Sequence, residues 1–185
     1  MITLVAPTPR YLVDLQHHAS DSRVSATSNV PHPYPRDGSV RWMNQTLKAM
    51  SEKKKAVFMV LSDDAFCGLM SLNAIDWERG CAELDYWIAG DYQGRGIGTE
   101  AARLTVNQAR EELHLKVLFS ACFVTNPPSA RILEKNGFRE VGRILNDGIF
   151  GRKFLNQEIR RFRKDLVPKA ESISDSHVSR YLEGA

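Results

Sequence analysis

Three strand-length apolar runs stand in succession in this chain, and the third leads through a glycine turn into a helical pattern. The runs are Ala56–Leu61 (AVFMVL), Phe66–Asn73 (FCGLMSLN) and Cys81–Ala89 (CAELDYWIA). Short polar segments join them: Ser62-Asp63-Asp64-Ala65, then a connection ending in Glu78-Arg79-Gly80. Strands joined so tightly are read as an antiparallel meander, since a parallel crossover needs about a dozen residues or more. After Gly90-Asp91 comes Gln93-Gly94-Arg95-Gly96-Ile97-Gly98-Thr99. A helix is predicted over 99–113, burying Ala102, Val106, Ala109 and Leu113. Glycines ahead of a helix let backbone N–H groups approach an anion without Cβ obstruction, and the helix N-terminus adds partial positive charge. Arg95 places a full charge in the same turn. The stretch reads as a site for a phosphate-bearing ligand.

Ahead of the meander, Ile2–Val5 is read as a first strand, and Thr8-Pro9 as an N-cap with proline at the first helical position. The helix is predicted to reach about His18 and to bury Leu12 and Leu15. His17 and His18 are adjacent and have no third ligand nearby, so they read as a solvated helix end and not as a metal site. Pro31, Pro33 and Pro35 exclude a regular helix from the segment that follows and remove ladder donors. A loop this long is uncommon unless it binds something or is disordered. Its aromatics favour a substrate-side role, with Pro33, Tyr34 and the nearby Trp42 as candidate contacts; a loop merely packed over a helix is the alternative. Asp37 is placed as the cap of a helix over 39–51, with Val40, Met43, Leu47 and Met50 as its core stripe. Glu52 to Lys55 reads as a solvated turn.

Beyond the central helix, 116–124 (KVLFSACFV) is nearly continuous in apolar character, as a strand covered on both faces must be. A short helix is predicted over 128–136, ending at Gly137 in a left-handed C-cap, then a strand region over 139–145. The turn Asn146-Asp147-Gly148 and a last element over 152–166 finish the domain, placed at 1–167. From Pro168 the composition turns to Ser, Glu, Asp and Lys, and a mobile tail is expected. The net charge of +3 comes from dispersed lysines and arginines, so nucleic acid is not an expected partner. No apolar run approaches the ~20 residues that span a bilayer. The first 15 residues lack the charged start and long apolar centre of a signal peptide. Cys67, Cys81 and Cys122 have no CxxC spacing and read as buried free thiols of a cytoplasmic protein.

Two familiar phosphate turns compete for the glycines. A Walker A loop is excluded, because no Gly-Lys-Ser/Thr follows them. Gly94 and Gly96 stand at the G-x-G spacing of a dinucleotide turn, but Thr99 occupies the third glycine position. That turn also belongs to the first unit of a parallel sheet, not to the end of a meander.

Gln93-Gly94-Arg95-Gly96-Ile97-Gly98, after a strand ending in Tyr86-Trp87-Ile88, resembles the Q/R-x-x-G-x-G/A signature of the GNAT acetyltransferases. The block from Asn126 to Phe138 is similar to the family's second signature, with Asn126, Ser129, Glu134-Lys135 and Gly137-Phe138 in order. The Pro-rich segment before Trp42 and the Glu83-x-x-Tyr86-Trp87 strand resemble the RimJ/RimL-type branch. The resemblance covers roughly 1–165 and implies an α+β fold in three layers, with a mixed, mostly antiparallel central sheet flanked by helices. It implies acetyl-coenzyme A as cosubstrate, held by the turn Gln93, Gly94, Arg95, Gly96, Ile97, Gly98 and Thr99. Trp87, Ile88 and Ala89 would pair through backbone with the pantetheine arm, and Asn126 and Arg131 would lie on its other side. Capping of the following helix is an equally good role for Asn126.

The same resemblance implies that a neutral amine attacks the thioester and the coenzyme thiolate leaves. Strand alternation puts Glu83, Asp85 and Trp87 on one face. Glu83 matches the position proposed as base. Asp85 stands where the family commonly has glycine, which makes it a rival base or a charge anchor; either carboxylate could instead be a plain exposed strand residue. Leu133 replaces the tyrosine many members use as an acid, and Ser129 is the substitute that the RimL-like branch points to, a helix-start role being its alternative. An α-amine of pKa about 7.7–8.0 is roughly one-tenth neutral at pH 7, and a lysine amine far less so. The expected acceptor is therefore a protein or peptide N-terminus. A small-molecule amine, or a coenzyme A-binding module with little turnover, are the other readings. Neither a metal nor a membrane is expected, and a homodimer is compatible with this reading.

Overall fold

Ile2–Val5 (β1), Ala56–Ser62 (β2), Ala65–Asp76 (β3) and Cys81–Ile88 (β4) are consecutive antiparallel neighbours in one sheet. The computed structural model describes residues 1–147 and 154–166; the expected tail, Gly148 and the start of the last element lie outside them. The β2–β3 hairpin turns on Asp63 and Asp64, at φ 48° and 66°. Two consecutive left-handed residues are what a tight hairpin demands, and aspartate tolerates them better than most side chains. After the meander the order changes. Val117–Phe123 (β5) lies parallel to β4, Glu158–Asp165 (β7) pairs antiparallel with β5, and Arg139–Leu145 (β6) closes the edge. The seven-stranded order is β1-β2-β3-β4-β5-β7-β6.

Helices cover both faces of the sheet, giving the expected α+β architecture. Leu12–Ala19 (α1), Ser22–Ser25 (α2) and Gly38–Ser51 (α3) belong to one side, where Leu15 and Met43 pack against Met59, Phe66 and Leu69. Ile97–Glu111 (α4) and Pro127–Lys135 (α5) belong to the other, where Ala102, Val106 and Leu133 meet Leu72, Leu84 and Ile88. No helix among the described residues is long and apolar enough to cross a membrane.

The stripe expected on α3 is corrected. Val40 and Leu47 are 50% and 43% exposed, and the buried face runs through Ser39, Met43 and Thr46. Gln16 of α1 sets this rotation: its Oε1 accepts the Ser39 N–H at 3.0 Å, and its Nε2 donates to Pro35 O at 2.8 Å. Asp37 holds the N-cap position without a side-chain cap bond and pairs with Arg41 at 2.9 Å. Thr8 does cap the first turn, a short 3-10 stretch Pro9–Tyr11, and Leu15 is buried as expected while Leu12 is half-buried.

The feature that positions a site is the parting of β4 from β5. Their parallel pairing runs only from Cys81–Leu84 against Val117–Ser120. Beyond that, β4 stays with β3 as far as Ile88, and β5 stays with β7 as far as Phe123. Ser120 Oγ donates to Leu84 O at 2.8 Å and closes the apex of the wedge. Gly68 on β3 lets β4 lie close where it diverges, since a Cβ there would stand 2.2 Å from Trp87 O and 3.0 Å from Ile88 Cα. Both atoms are backbone of β4, which cannot yield as a flexible side chain can. Gly68→Ala is expected to destabilise the fold by about 2 kcal/mol or more, read from denaturant midpoints; a change near zero would show that β4 can retreat.

Candidate active site

The wedge opens into a cleft of about 980 Å³ lined from both faces of the sheet. Gly94, Gly96, Gly98 and Thr99 line one end, with Arg131 and Lys135 of α5 beside them. Trp87, Ile88, Asn126 and Ser129 line the middle. Lys55, Ser71, Asp85, Tyr34 and Trp42 line the end on the α1/α3 side.

At the glycine end, Gly94 and Gly96 hold φ of 75° and 79°, and a Cβ on either would meet nothing within 4 Å. These two glycines serve backbone conformation beside open space. Gly98 serves packing instead: its Cβ would stand 2.8 Å from Ile132 Cδ1 and 3.3 Å from Ile88 Cγ1. Gly96 is the N-cap of α4 and brings no side-chain hydrogen bond, so the first-turn N–H groups are left for another acceptor. Arg95 is exposed and sits over the Tyr92 ring, 5.6 Å from its centroid, away from the cleft lining. Arg23 does reach the lining, held by Asp21 at 2.6 Å and Asp91 at 2.7 Å.

Peptide groups alternate in direction along a strand, and this sorts the β4 backbone. Leu84 O accepts from Ser120 on the β5 side, whereas Ala89 N–H donates to Cys67 O of β3 at 2.8 Å. Tyr86 and Ile88 therefore turn their backbone groups to the wedge, while Asp85 and Trp87 turn theirs to β3. Ile88 O is already taken by Gln93 Nε2 at 2.8 Å.

Two carboxylates share the α1/α3 face of β4 and live in different surroundings. Asp85 is open to the cleft yet enclosed by protein around it, and this desolvation raises its pKa. The Asn73 amide opposes the rise by donating to Asp85 Oδ2 at 2.6 Å, and Arg161 and Lys55 oppose it through their charge. Glu83 is absent from the lining and its side chain is 21% exposed. Burial first, and then the charge of Asp85, push its pKa up to about 6, against the pull of Arg161 at 3.7 Å. Glu83 Oε1 and Asn73 Oδ1 are buried and accept no hydrogen bond among the described residues. On the opposite face, Tyr86 Oη lies 2.8 Å from Ser129 Oγ and donates to Ser129 O at 3.1 Å. Burial raises the Tyr86 pKa far above the ordinary phenol and keeps its proton in place. Cys122, beside Ser129, is pushed up to about 11 by burial and remains a thiol.

Residues 2–139 match the family described as the acetyltransferase (GNAT) domain. The chain belongs to the GNAT acetyltransferase family. It is 37% identical over 91 residues to the putative ribosomal N-acetyltransferase YdaF of Bacillus subtilis (strain 168), covering 49% of each chain. It is 30% identical over 100 residues to the ribosomal-protein-serine acetyltransferase of Escherichia coli (strain K12), covering 54% of this chain and 53% of that one. The chain thus spans about half the length of these curated relatives. Spermidine N-acetyltransferase from Vibrio cholerae, solved with CoA and spermine, shares the fold at a TM-score of 0.77 and 20% identity, over 89% of this chain and 95% of that one.

Within this GNAT frame the residues singled out from the sequence divide into two groups. Asp85, Ser129, Trp87, Ile88, Gln93, Gly94, Gly96, Gly98, Thr99, Asn126, Arg131, Tyr34 and Trp42 all line the one cleft. Glu83, Ala89, Arg95, Ile97 and Pro33 do not. Ile97 is a buried core residue at the start of α4, and Pro33 is exposed. Of the three residues expected to pair through backbone with an arm, Trp87 and Ala89 turn their peptide groups to β3, and only Ile88 turns its own to the wedge, as Tyr86 also does. Asn126 Oδ1 takes the capping role, accepting the Ser129 N–H at 3.4 Å, which leaves its amide nitrogen for the cleft. Lys55, Asn73, Tyr86, Cys122 and Arg161 escaped the sequence reading. Only Lys55 and Asn73 carried a signal, since each continues the parity of an inward-facing strand row.

The fold favours protonated Glu83. Its contribution to stability is full below the unfolded-state value near 4.3 and is lost as pH rises through about 6. Glu83→Gln is expected to gain in stability relative to wild type as pH rises from about 4 to about 7, measured by denaturant midpoints. A gap that stays constant with pH would remove Glu83 from this linkage.

Proposed function

We propose that the chain moves an acetyl group from acetyl-coenzyme A to the α-amine of a protein or peptide N-terminus, by direct attack within a ternary complex. The charge of the cleft carries the acceptor side of this reading. Asp85 is the one carboxylate among its described lining residues, against Arg23, Lys55, Arg131 and Lys135. A polyamine brings several positive charges and wants several carboxylates around it, whereas one α-amine wants one. The relatives named as ribosomal acetyltransferases support the same choice.

The glycine turn fits a pyrophosphate on its own geometry: two left-handed glycines with open space beside them lead into a helix start that lacks a side-chain cap. Backbone N–H groups of Arg95 through Thr99 would hold that group, with Arg131 and Lys135 near it. Tyr86 and Ile88 would meet the amides of the arm much as a strand meets an added peptide. When bound, the coenzyme supplies a thioester whose carbonyl carbon accepts an amine lone pair and whose sulfur leaves as thiolate.

Asp85 is the carboxylate placed to meet the amine. Ionised, it accepts a hydrogen bond from the incoming ammonium and takes its proton as the amine becomes neutral. A raised pKa makes it the better base for that task. On the far side, Ser129 Oγ stands 2.8 Å from Tyr86 Oη, and its hydroxyl is the group that would meet a departing thiolate. An ordinary thiol pKa of about 8.5 keeps that demand small near neutral pH.

Thiol release from acetyl-coenzyme A, followed over a panel of peptides, amino acids and polyamines, tests the reading. Release is expected with peptides bearing a free N-terminus, and Asp85→Asn is expected to lower kcat on them by roughly a hundredfold. Activity on spermidine without activity on peptides overturns the acceptor. Gly96→Trp is expected to abolish acetyl-coenzyme A binding in calorimetry while the far-ultraviolet spectrum is kept; unchanged affinity would refute the cradle.

A further inference from the structure

We infer that the preferred acceptor is a peptide carrying a carboxylate on its first or second residue, and that Lys55 selects it. This rests on the peptide α-amine reading and adds the chemistry next to the amine. Lys55 precedes β2, is half-buried, lines the cleft, and forms no ion pair or hydrogen bond among the described residues. Its charge acts on Asp85 only at longer range, so its ammonium donors are open to an anion supplied by a ligand.

The other cations of the lining are otherwise engaged. Arg23 is bonded to Asp21 and Asp91, and Arg131 and Lys135 stand on α5 at the glycine end. Lys55 alone faces the acceptor end. The sheet register places it there: Val57 pairs with Ser71 and Ser71 with Asp85, so these three form one row on the α1/α3 face. Lys55 extends the β2 edge of the next row on the same face. Its backbone lies two strands across, about 10 Å, and two residues along, about 7 Å, from Asp85, with both side chains turned into the cleft. The acceptor end thus offers one negative and one positive group across a short gap, walled by Tyr34, Trp42 and Trp87.

A peptide α-ammonium meets Asp85 in this arrangement, and the side-chain carboxylate of the first or second residue meets Lys55. A polyamine places positive charge against Lys55 and is rejected by the same group. A free amino acid has both charges but nothing to fill the aromatic wall.

The test measures kcat/KM for C-terminally amidated peptides that differ only in the second residue (Glu, Gln or Lys), with free glutamate as a separate arm. The wild type is expected to favour Glu over Lys by roughly tenfold or more, the worth of one charge-assisted hydrogen bond. Lys55→Gln is expected to flatten the ratio and Lys55→Glu to invert it, with acetyl-coenzyme A binding by calorimetry as the check that both variants fold. Equal ratios in wild type and Lys55→Glu overturn the role of Lys55 while leaving peptide acetylation intact. Turnover of free glutamate above every peptide overturns the peptide source. Turnover of no peptide at all removes the peptide reading itself, and this inference with it.

Discussion

A strand in the middle of a sheet must satisfy hydrogen-bonding groups on both edges, and β4 does so on only one edge along its second half. Its partner β5 leaves after Leu84 because β7 holds β5 on a different course. Buried backbone groups without partners are costly, so an opening of this kind persists only where something else meets them. Ser120 meets the first carbonyl and Gln93 meets the last. Between those two stoppers the polar edge of β4 faces the cleft, and every candidate site element is arranged along it.

The two faces of β4 divide the chemistry of that cleft. Leu84, Tyr86 and Ile88 face α4 and α5, the side of the glycine turn and Ser129. Glu83, Asp85 and Trp87 face α1 and α3, the side of the aromatic wall and Lys55. A single strand therefore separates the glycine-turn side of the cleft from its aromatic side and supplies side chains to each. The two carboxylates illustrate how much a two-residue step matters. Asp85 has Asn73 and the cleft beside it, while Glu83 has Arg161 and the interior. Similar groups on one face thus receive different tasks from their surroundings.

Much of this was legible in the sequence because it rests on local rules. Short turns specify a meander, glycines before an alanine-rich run specify a helix start, and alternation assigns faces to β4. The order of elements and most of the cleft lining follow from these. What escaped depends on long-range register. Nothing local distinguishes Val40 and Leu47 from core residues; the Gln16 bridge between α1 and α3 decides which face of α3 is buried. Nothing local tells which β4 peptide groups face the wedge, because that is fixed by which neighbour β3 takes. Lys55 looked like the end of a solvated basic turn, and only the β2–β3–β4 rows bring it to the same cleft as Asp85.

Gly98 links parts of the molecule that the chain keeps thirty residues apart. The room it leaves is filled by Ile132 of α5 and Ile88 of β4, in contacts closer than any side chain at 98 would permit. Helix α5 also carries Ser129 and Arg131, and its first turn hangs from Asn126. The missing methyl group thereby sets the spacing between the two banks of the cleft, like the thickness of a shim. Its width at the glycine end is a packing quantity, governed by one hydrogen atom in place of a carbon, and it is inherited by groups that never touch residue 98.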